Sequence, residues 1–310
     1  MNDQSLLFDL PGPRARRRER IGNVTGIVVL AALGVWLIAA LAAKDQFTAA
    51  RWAPFLTASA WGDYLLPGLW ATLRAAAVAL VAAFVFGVVF GLGRLADARP
   101  VRWVSTVVVE FFRAVPVLVL MLFFYFMFSQ VPFVPSTSAA FWGVVTALTL
   151  YNGSVVAELV RSGIHSLPSG QREAALAIGL TPSRSRRLIE LPQALVAMMP
   201  AMISQLIVAL KDTALGYIIT YSELLAAGSL LGSAKANLIP ALMVTAAIFV
   251  VLNFGMSWAA QRLADRLSRR TSEQMSTFTG IATAADVADI PAPAGPVPPD
   301  PGRSGRRRRR

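Results

Sequence analysis

Several residue types that usually carry chemistry are absent or scarce in this chain. It has no cysteine, which excludes a disulfide framework, thiol catalysis and a Cys/His metal site. It has one histidine, His165, and no Gly-x-x-x-x-Gly-Lys-Ser/Thr loop to hold nucleotide phosphates. These absences predict that the chain is not an enzyme and that it holds no metal, no ATP and no other cofactor of its own.

The composition is that of a membrane protein. Apolar residues make up 55% of the 310 positions, and the mean hydropathy is +0.58, well above that of a soluble domain. A net charge of +12 would suit a nucleic-acid-binding protein. Here, however, the basic residues cluster between long apolar runs, as in the loops of membrane proteins. The sequence therefore predicts an all-α, polytopic membrane helix bundle without a nucleic-acid partner.

Six apolar runs are long enough to cross roughly 30 Å of hydrocarbon as helices. Pro116 either kinks the third run or marks its true start. A secretory signal is the alternative for the first run, but its length favours a retained helix. Two registers fit the fifth run. The predicted spans are 21–43, 75–93, 104–128, 139–160, either 191–210 or 200 to about 221, and 236–261.

Both ends of the chain are polar or rich in proline. A basic arm over residues 1–20 and a Pro/Ala-rich tail over 271–310 are predicted to be disordered, and the arginines that end the tail could contact membrane lipid. With six spans, the arm falls on the same side as the basic segments 94–102, 161–187 and 262–270. Because basic loops stay inside, we predict a plasma-membrane protein with both termini in the cytoplasm.

Residues 166–194 form a charged break between apolar runs. Ser169 is predicted to cap a helix over 171–178, which Gly179 ends in the left-handed conformation. A Thr-Pro pair at 181–182 then starts a second, basic helix. Another protein could grip the short alanine-bearing helix. The alternative is that the segment only caps the bundle.

The same segment carries a resemblance to a known family. Gln-Arg-Glu-Ala-Ala at 171–175, with Gly179 and Ile-Glu-Leu-Pro-Gln-Ala at 189–194, resembles the EAA loop of ATP-binding-cassette importer permeases. Further stretches resemble the polar amino acid branch of these permeases, and the likeness is closest to actinobacterial glutamate permeases. These stretches are Glu-Phe-Phe-Arg-Ala-Val-Pro at 110–116, Tyr-Asn-Gly-Ser at 151–154 and Leu-Lys-Asp-Thr-Ala-Leu at 210–215.

The resemblance implies an architecture and a function. It implies a five-helix permease core at 66–265, with the span at 21–43 as an extra N-terminal transmembrane helix. It also implies ATP-driven uptake of a polar amino acid, glutamate first, by alternating access. The implied partners are an ATP-binding subunit, an extracytoplasmic substrate-binding protein and a second permease subunit, identical or related. The residues implied to couple to the ATPase are Glu173, Ala174, Ala175 and Gly179.

Polar residues inside the predicted spans are candidates for the substrate pathway. Asn152 could bind the amino acid backbone of the substrate, or it could tie two helices together. Glu158, with Ser154 on the same helix face, could line the pathway or only pair with Arg161 near the interface. The resemblance places Lys211 and Asp212 near mid-membrane, facing the pathway or another helix. The candidates are Asn152, Ser154, Glu158, Lys211, Asp212 and Thr213.

Two other functions remain open on the sequence. One is an ion-coupled transporter or channel that works without an ATPase, and the other is a membrane scaffold without substrate flux. An inverted internal repeat would favour the ion-coupled transporter, and no convincing repeat is present in the sequence.

Overall fold

The computed structural model describes the backbone of residues 12–284, with side chains for residue 12 and residues 14–262. Every regular element in this range is helical, which confirms the all-α prediction. The α-helices are α1 Pro13–Ala42, α2 Ala49–Trp52, α3 Leu66–Gly93, α4 Arg99–Ala114, α5 Val117–Ser129, α6 Ser136–His165, α7 Ser169–Ala177, α8 Pro182–Ser185, α9 Leu191–Ala197, α10 Met199–Asp212, α11 Leu224–Ala234 and α12 Leu238–Ala284.

Short non-α turns extend or join some of these helices. A π-helical segment, Ala60–Leu65, leads directly into α3, and another, Arg186–Glu190, joins α8 to α9. A 3-10 helix, Thr213–Ile219, continues α10. A further 3-10 helix, Ala53–Leu56, follows α2.

Within the described range, five helical segments are long and apolar enough to cross a membrane. The pair α4 and α5 makes a sixth if it is counted as one span, bent by 101°. Of the two expectations for Pro116, the structure supports a true start, since α5 begins immediately after this proline. The fifth span follows the register that begins near Pro200. The five segments are Arg14–Ala42, Ala60–Gly93, Ser136–His165, Met199–Ile219 and Leu238–Arg262.

Two end boundaries differ from the predictions. α1 begins at Pro13, so residues 13–20 are helical rather than disordered, because a proline at the first helical position is already set for helix. At the other end, α12 continues to Ala284, so the prediction of a disordered tail is wrong for residues 271–284. Residues 1–11 and 285–310 lie outside the described part of the chain.

The second span also begins earlier than predicted. The predicted span at 75–93 begins just after Arg74, but α3 starts at Leu66 and the span at Ala60. Arg74 therefore lies inside a transmembrane helix. The predicted start of this span is wrong because the helix continues through one arginine that is surrounded by apolar residues in the sequence.

Glycines allow α3 and α6 to pack backbone against backbone. A Cβ added at Gly87 would lie 2.4 Å from the Val156 Cγ1, and one added at Gly91 would lie 2.9 Å from the carbonyl oxygen of Ala157. Both glycines therefore face α6 rather than lipid. Small residues four positions apart, such as these two, let membrane helices approach each other closely. The contact fixes the relative position of every side chain on the two helices.

α11 and the residues just before it are held against α3 by hydrogen bonds between side chains and backbone. The Leu224 amide donates to the Thr72 hydroxyl oxygen at 3.0 Å, and the Tyr221 hydroxyl donates to the Ala71 carbonyl at 2.8 Å. Both bonds join this segment to the N-terminal part of α3. The predicted coupling loop, residues 166–194, lies near the other end of this helix.

Replacing Gly87 by leucine is expected to lower the unfolding temperature, because the new side chain would enter space that Val156 occupies. Overpacking of this kind costs about 1–3 kcal/mol. Thermal unfolding of the purified protein in detergent, followed by intrinsic fluorescence, measures the change. Gly34→Leu is the matched control, since no heavy atom lies within 4 Å of a Cβ added at Gly34 in α1. Equal unfolding temperatures for the two variants would contradict the packing described for α3 and α6.

Candidate coupling loop and substrate pathway

The predicted coupling loop folds as two short helices that meet at a corner. Gly179 stands at this corner with a φ of +86°, in the left-handed region that favours glycine. Its amide donates to the Leu176 carbonyl at 3.0 Å, and the Leu180 amide donates to the Ala175 carbonyl at 3.1 Å. These bonds satisfy free carbonyls at the end of α7. They confirm that Gly179 ends this helix.

The two helix starts give different outcomes. Ser169 is the first residue of α7, and Pro168 holds the cap position without a side-chain hydrogen bond. The prediction that Ser169 caps this helix is therefore wrong, since the extended backbone of Pro168 already directs the chain into it. At α8 the prediction is confirmed, because the Thr181 hydroxyl accepts from the Arg184 amide at 3.4 Å.

α7 has a buried side and an exposed side. Ala175 is only 1% exposed and packs against its own chain, whereas Glu173 and Ala174 are exposed. The structure therefore separates Ala175 from the other predicted coupling residues. Sequence reasoning also missed Leu176 and Ile178, which are 40% and 77% exposed. These two residues could have been found from the sequence, because they are large apolar side chains in a polar loop. Exposed apolar surface often marks a contact with another protein.

One ion pair ties the coupling loop to the connection that follows α3, and a buried hydrogen bond stabilises the loop internally. The Arg186 guanidinium pairs with Asp97, in the connection between α3 and α4. The Ser185 hydroxyl donates to the buried Glu190 carboxylate at 2.6 Å. A displacement of the loop would therefore act directly on the end of α3.

Near this end, Glu158 belongs to a charge cluster from α3, α4 and α6. Arg94 lies 2.6 Å from the Glu158 carboxylate and 2.9 Å from that of Glu110. Arg113 and Arg161 each approach the Glu158 carboxylate to 3.3 Å. The predicted local pair of Glu158 and Arg161 is present, and the cluster extends it to three helices. Sequence reasoning did not foresee Arg94, because only the fold brings it to Glu158.

Asn152 ties two helices together. It is 1% exposed, and its Oδ1 accepts from the Gln205 Nε2 of α10 at 2.6 Å. Its Nδ2 donates to the Leu148 carbonyl at 3.0 Å. Both polar ends of Asn152 are thus occupied within the chain. Gln205 was missed, although an amide side chain in an apolar span was a visible signal.

The hydroxyls of Ser154 and Thr213 bond to their own helices. The Ser154 Oγ donates to the Leu150 carbonyl at 2.7 Å, and the Thr213 Oγ1 donates to the Leu210 carbonyl at 2.6 Å. Both residues are fully buried. Their polar atoms therefore face neighbouring backbone in this conformation.

Lys211 lines a cavity of about 350 Å³ between α10, α11 and α12, with Thr245 and Asn253 among its other walls. The Oδ1 of Asn253 is buried without a hydrogen-bond partner. Neither Lys211 nor Asp212 pairs with an opposite charge within the described part of the chain. The charges of these two residues are therefore free for a substrate or a second chain.

A buried acid, Glu223, was not singled out from the sequence. It is 0% exposed and precedes α11, where its carboxylate accepts from the Leu225 and Ala226 amides at 2.7 and 2.8 Å. Burial raises the pKa of Glu223 from 4.5 to about 7, although both hydrogen bonds act in the opposite direction. Glu223 is the N-cap of α11. The sequence indicated this by a single acidic residue directly before the helix-forming stretch Leu-Leu-Ala-Ala.

The family follows from comparison with known proteins. A family profile described as "Binding-protein-dependent transport system inner membrane component" matches residues 83–269, more than half of the chain. The chain belongs to this family. It is therefore a permease of an ATP-binding-cassette importer, as the EAA-like loop indicated. The match covers the C-terminal part of α3, all of α4 to α11 and part of α12.

Individual relatives agree with this assignment. The permease is 48% identical over 227 residues to the glutamate transport system permease protein GluD of Corynebacterium glutamicum, covering 73% of this chain and 83% of GluD. It is 30% identical over 214 residues to the glutamate/aspartate import permease protein GltK of Escherichia coli O157:H7, covering 67% and 94% of the two chains.

A solved structure has the same fold. The crystal structure of an amino acid ABC transporter with histidines matches the permease with a TM-score of 0.59 and 27% identity, over 66% of this chain and 95% of that chain. The shared region leaves about a third of this chain outside it. The fold prediction of a permease core with an added N-terminal helix is confirmed.

The bond between Asn152 and Gln205 can be tested by a double-mutant cycle. Asn152→Ala and Gln205→Ala should each destabilise the permease by about 0.5–2 kcal/mol, because each leaves the other amide without its partner. The double variant should lose less than the sum of the two. Unfolding of the purified permease in mixed micelles measures these terms. Ser204→Ala, an exposed neighbour in α10, is the control and should combine additively with Asn152→Ala.

The buried carboxyl of Glu223 predicts a pH dependence. Its folded-state pKa of about 7 lies above the ordinary 4.5, so the folded state binds this proton more tightly than the unfolded state does. The associated stability is therefore complete below pH 4.5 and lost as the pH rises through 7, by at most about 3 kcal/mol.

Glu223→Gln should remove this pH dependence, since glutamine keeps an acceptor for the α11 amides but does not ionise. Unfolding temperatures measured between pH 4.5 and pH 8 test the prediction. Glu173→Gln, at an exposed position, should retain the wild-type profile. Parallel profiles for the wild type and Glu223→Gln would refute the prediction.

Proposed function

We propose that this permease takes up an acidic amino acid, most specifically glutamate, by alternating access. The 48% identity to a permease named for glutamate transport carries this proposal. Relatives named for glutamine and arginine transport are less similar, at 32% and 29% identity. The glutamate/aspartate permease GltK, at 30%, lies in the same range. The identity to GluD alone therefore favours glutamate.

The proposed partners follow from the architecture of such importers. An ATP-binding subunit binds the exposed face of α7, an extracytoplasmic binding protein delivers the substrate, and a second permease subunit, identical or related, completes the pathway. ATP hydrolysis belongs to the ATP-binding subunit. Glu173, Ala174, Leu176 and Ile178 support this assignment of α7, because they combine a charge, a small side chain and apolar surface at one exposed site.

We further propose that both termini and the coupling loop lie in the cytoplasm of a plasma-membrane protein. The basic loops support this orientation, and the ion pair of Arg186 with Asp97 joins two of them, the coupling loop and the 94–102 segment. In this division, α1 is an extra helix outside the permease core at 66–265.

The proposed coupling passes from α7 through the Arg186–Asp97 pair to the charge cluster around Glu158. Closure of two ATP-binding subunits moves the coupling loops and changes how α3, α4 and α6 meet at this cluster. Each ligand drives the change only through its different affinity for the two states. Lys211 and Asp212 line the substrate pathway, whereas Asn152 and Glu158 hold together the helices that form it. Ser154 and Thr213 bond to their own helices in this conformation.

The proposed function is tested by reconstitution. The permease, its ATP-binding subunit and its binding protein, placed in proteoliposomes, are expected to accumulate radiolabelled glutamate only when ATP is present. Competition by unlabelled aspartate, glutamine and arginine ranks the substrates. ATP-independent uptake, or accumulation of glutamine or arginine but not glutamate, would contradict the proposal.

Glu173→Lys tests the coupling face. Reversing this exposed charge is expected to reduce co-purification of the ATP-binding subunit and substrate-stimulated ATP hydrolysis by about tenfold or more, the effect of disrupting one charged interface contact. The variant permease should still insert into the membrane. Glu19→Lys, the same change in α1, should leave both properties unchanged. Wild-type hydrolysis and uptake by Glu173→Lys would exclude this face as the contact.

A further inference from the structure

Arg74 is the one charged residue between Leu66 and Gly93 in α3. About 12 Å of helix separates it from Leu66, and about 28 Å separates it from Gly93. Because the Gly93 end adjoins the coupling loop, Arg74 lies in the opposite half of the span. A charge within a span is costly and is retained where it serves a pathway or a partner.

The guanidinium of Arg74 is directed toward α6. Its central carbon lies 4.6 Å from the centroid of the Phe141 ring, a cation–π geometry. The Tyr221 ring lies 6.1 Å from that of Phe141. Burial raises the pKa of the Tyr221 hydroxyl, and the neighbouring Arg74 opposes this rise. Arg74 is thus held where α3, α6 and the segment before α11 meet.

Arg74 has no carboxylate partner within the described part of the chain. Glu223, the acid that precedes α11, is occupied by the Leu225 and Ala226 amides. The Arg74 side chain is exposed in the single chain. Its guanidinium also reaches the Tyr221 hydroxyl, and the donors not used there can bind a carboxylate through two parallel hydrogen bonds.

Lys211 is a second cation inside a span without a carboxylate partner. Together with Arg74 it supplies two positive charges, and neighbouring Asp212 supplies one negative charge. An acidic amino acid carries two carboxylates and one ammonium group. Two cations without a carboxylate partner in these spans therefore favour a substrate that carries carboxylates.

We propose that Arg74 is a specificity-determining residue that binds a carboxylate of an acidic amino acid in the half of the pathway away from the coupling loop. The ring of Phe141 positions the guanidinium. The inference rests on the proposed function for the identity of the substrate. It adds the residue that distinguishes an acidic amino acid from its neutral amide.

The test measures glutamate binding to the purified permease complex without its binding protein, so that the permease alone selects. Tritiated glutamate is the probe, and unlabelled glutamine and aspartate are the competitors. Arg74→Gln should weaken glutamate binding by about tenfold or more, the usual effect of losing a charge-assisted pair. Its preference for glutamate over glutamine should fall by a similar factor. Arg74→Lys should retain part of both.

Two variants separate a specific role from a structural one. Phe141→Leu removes the ring but keeps the charge, so it should weaken glutamate binding less than Arg74→Gln does and preserve the preference over glutamine. Arg99→Gln, an exposed change at the start of α4, should match the wild type. An equal loss of glutamate and glutamine binding in Arg74→Gln, or no loss at all, would overturn the inference.

The outcome remains separable from that of the proposed function. If the wild-type complex transports glutamine or arginine but neither binds nor transports glutamate, the substrate assignment itself fails. If it transports glutamate while Arg74→Gln keeps wild-type affinity and preference, only the role of Arg74 fails. Unfolding temperatures for each variant show whether a loss of binding reflects a loss of folding.

Discussion

The close approach of α3 and α6 is the constraint on which the rest of the permease depends. In a bilayer, water does not drive helices together, so association relies on packing and polar contacts between helices. Gly87 and Gly91 on α3 leave room for the α6 backbone, and Gly153 on α6 does the same for Phe86. α3 and α6 therefore form one rigid unit. This unit positions both the charge cluster around Glu158 and Arg74.

One end of this unit holds the charge cluster, and the other end holds Arg74. At the first, Arg94 spans two carboxylates from different helices. This arrangement suits a contact that must change during transport, because Glu158 has three arginines within 4 Å and can exchange one for another without being left unpaired. Apolar packing at Gly87 is harder to change. The fold thus combines a fixed helix pair with a cluster that can exchange partners as the coupling loop moves.

The sequence revealed features that depend on one or two neighbouring residues. Gly179 was identifiable because a helix end requires a positive φ, and Pro116 because proline interrupts a helix. The Asn152–Gln205 and Arg94–Glu158 contacts were not identifiable, since they join residues 53 and 64 positions apart. Ser169 failed as a cap because local propensity yielded to the geometry of Pro168. Hydropathy predicted a span boundary next to Arg74, because a hydropathy scale counts every charge as polar. It takes no account of the side chains that surround the charge in the folded protein.

Charged residues that are paired within the chain differ from those that are not. The paired residues hold helices together, and the unpaired ones are candidates for the substrate pathway. Arg94 and Glu158 neutralise each other within the chain, so their charges are already satisfied when the substrate arrives. Arg74, Lys211 and Asp212 lack such partners within the described residues. Uncompensated charge within a membrane is tolerated where water, a second chain or a ligand supplies the counter-charge. In the proposed role, the carboxylates and the ammonium group of an acidic amino acid supply these counter-charges. Unpaired charge is therefore a more selective criterion for candidate pathway residues than polarity alone, since Asn152 and Ser154 are polar but already bonded within the chain.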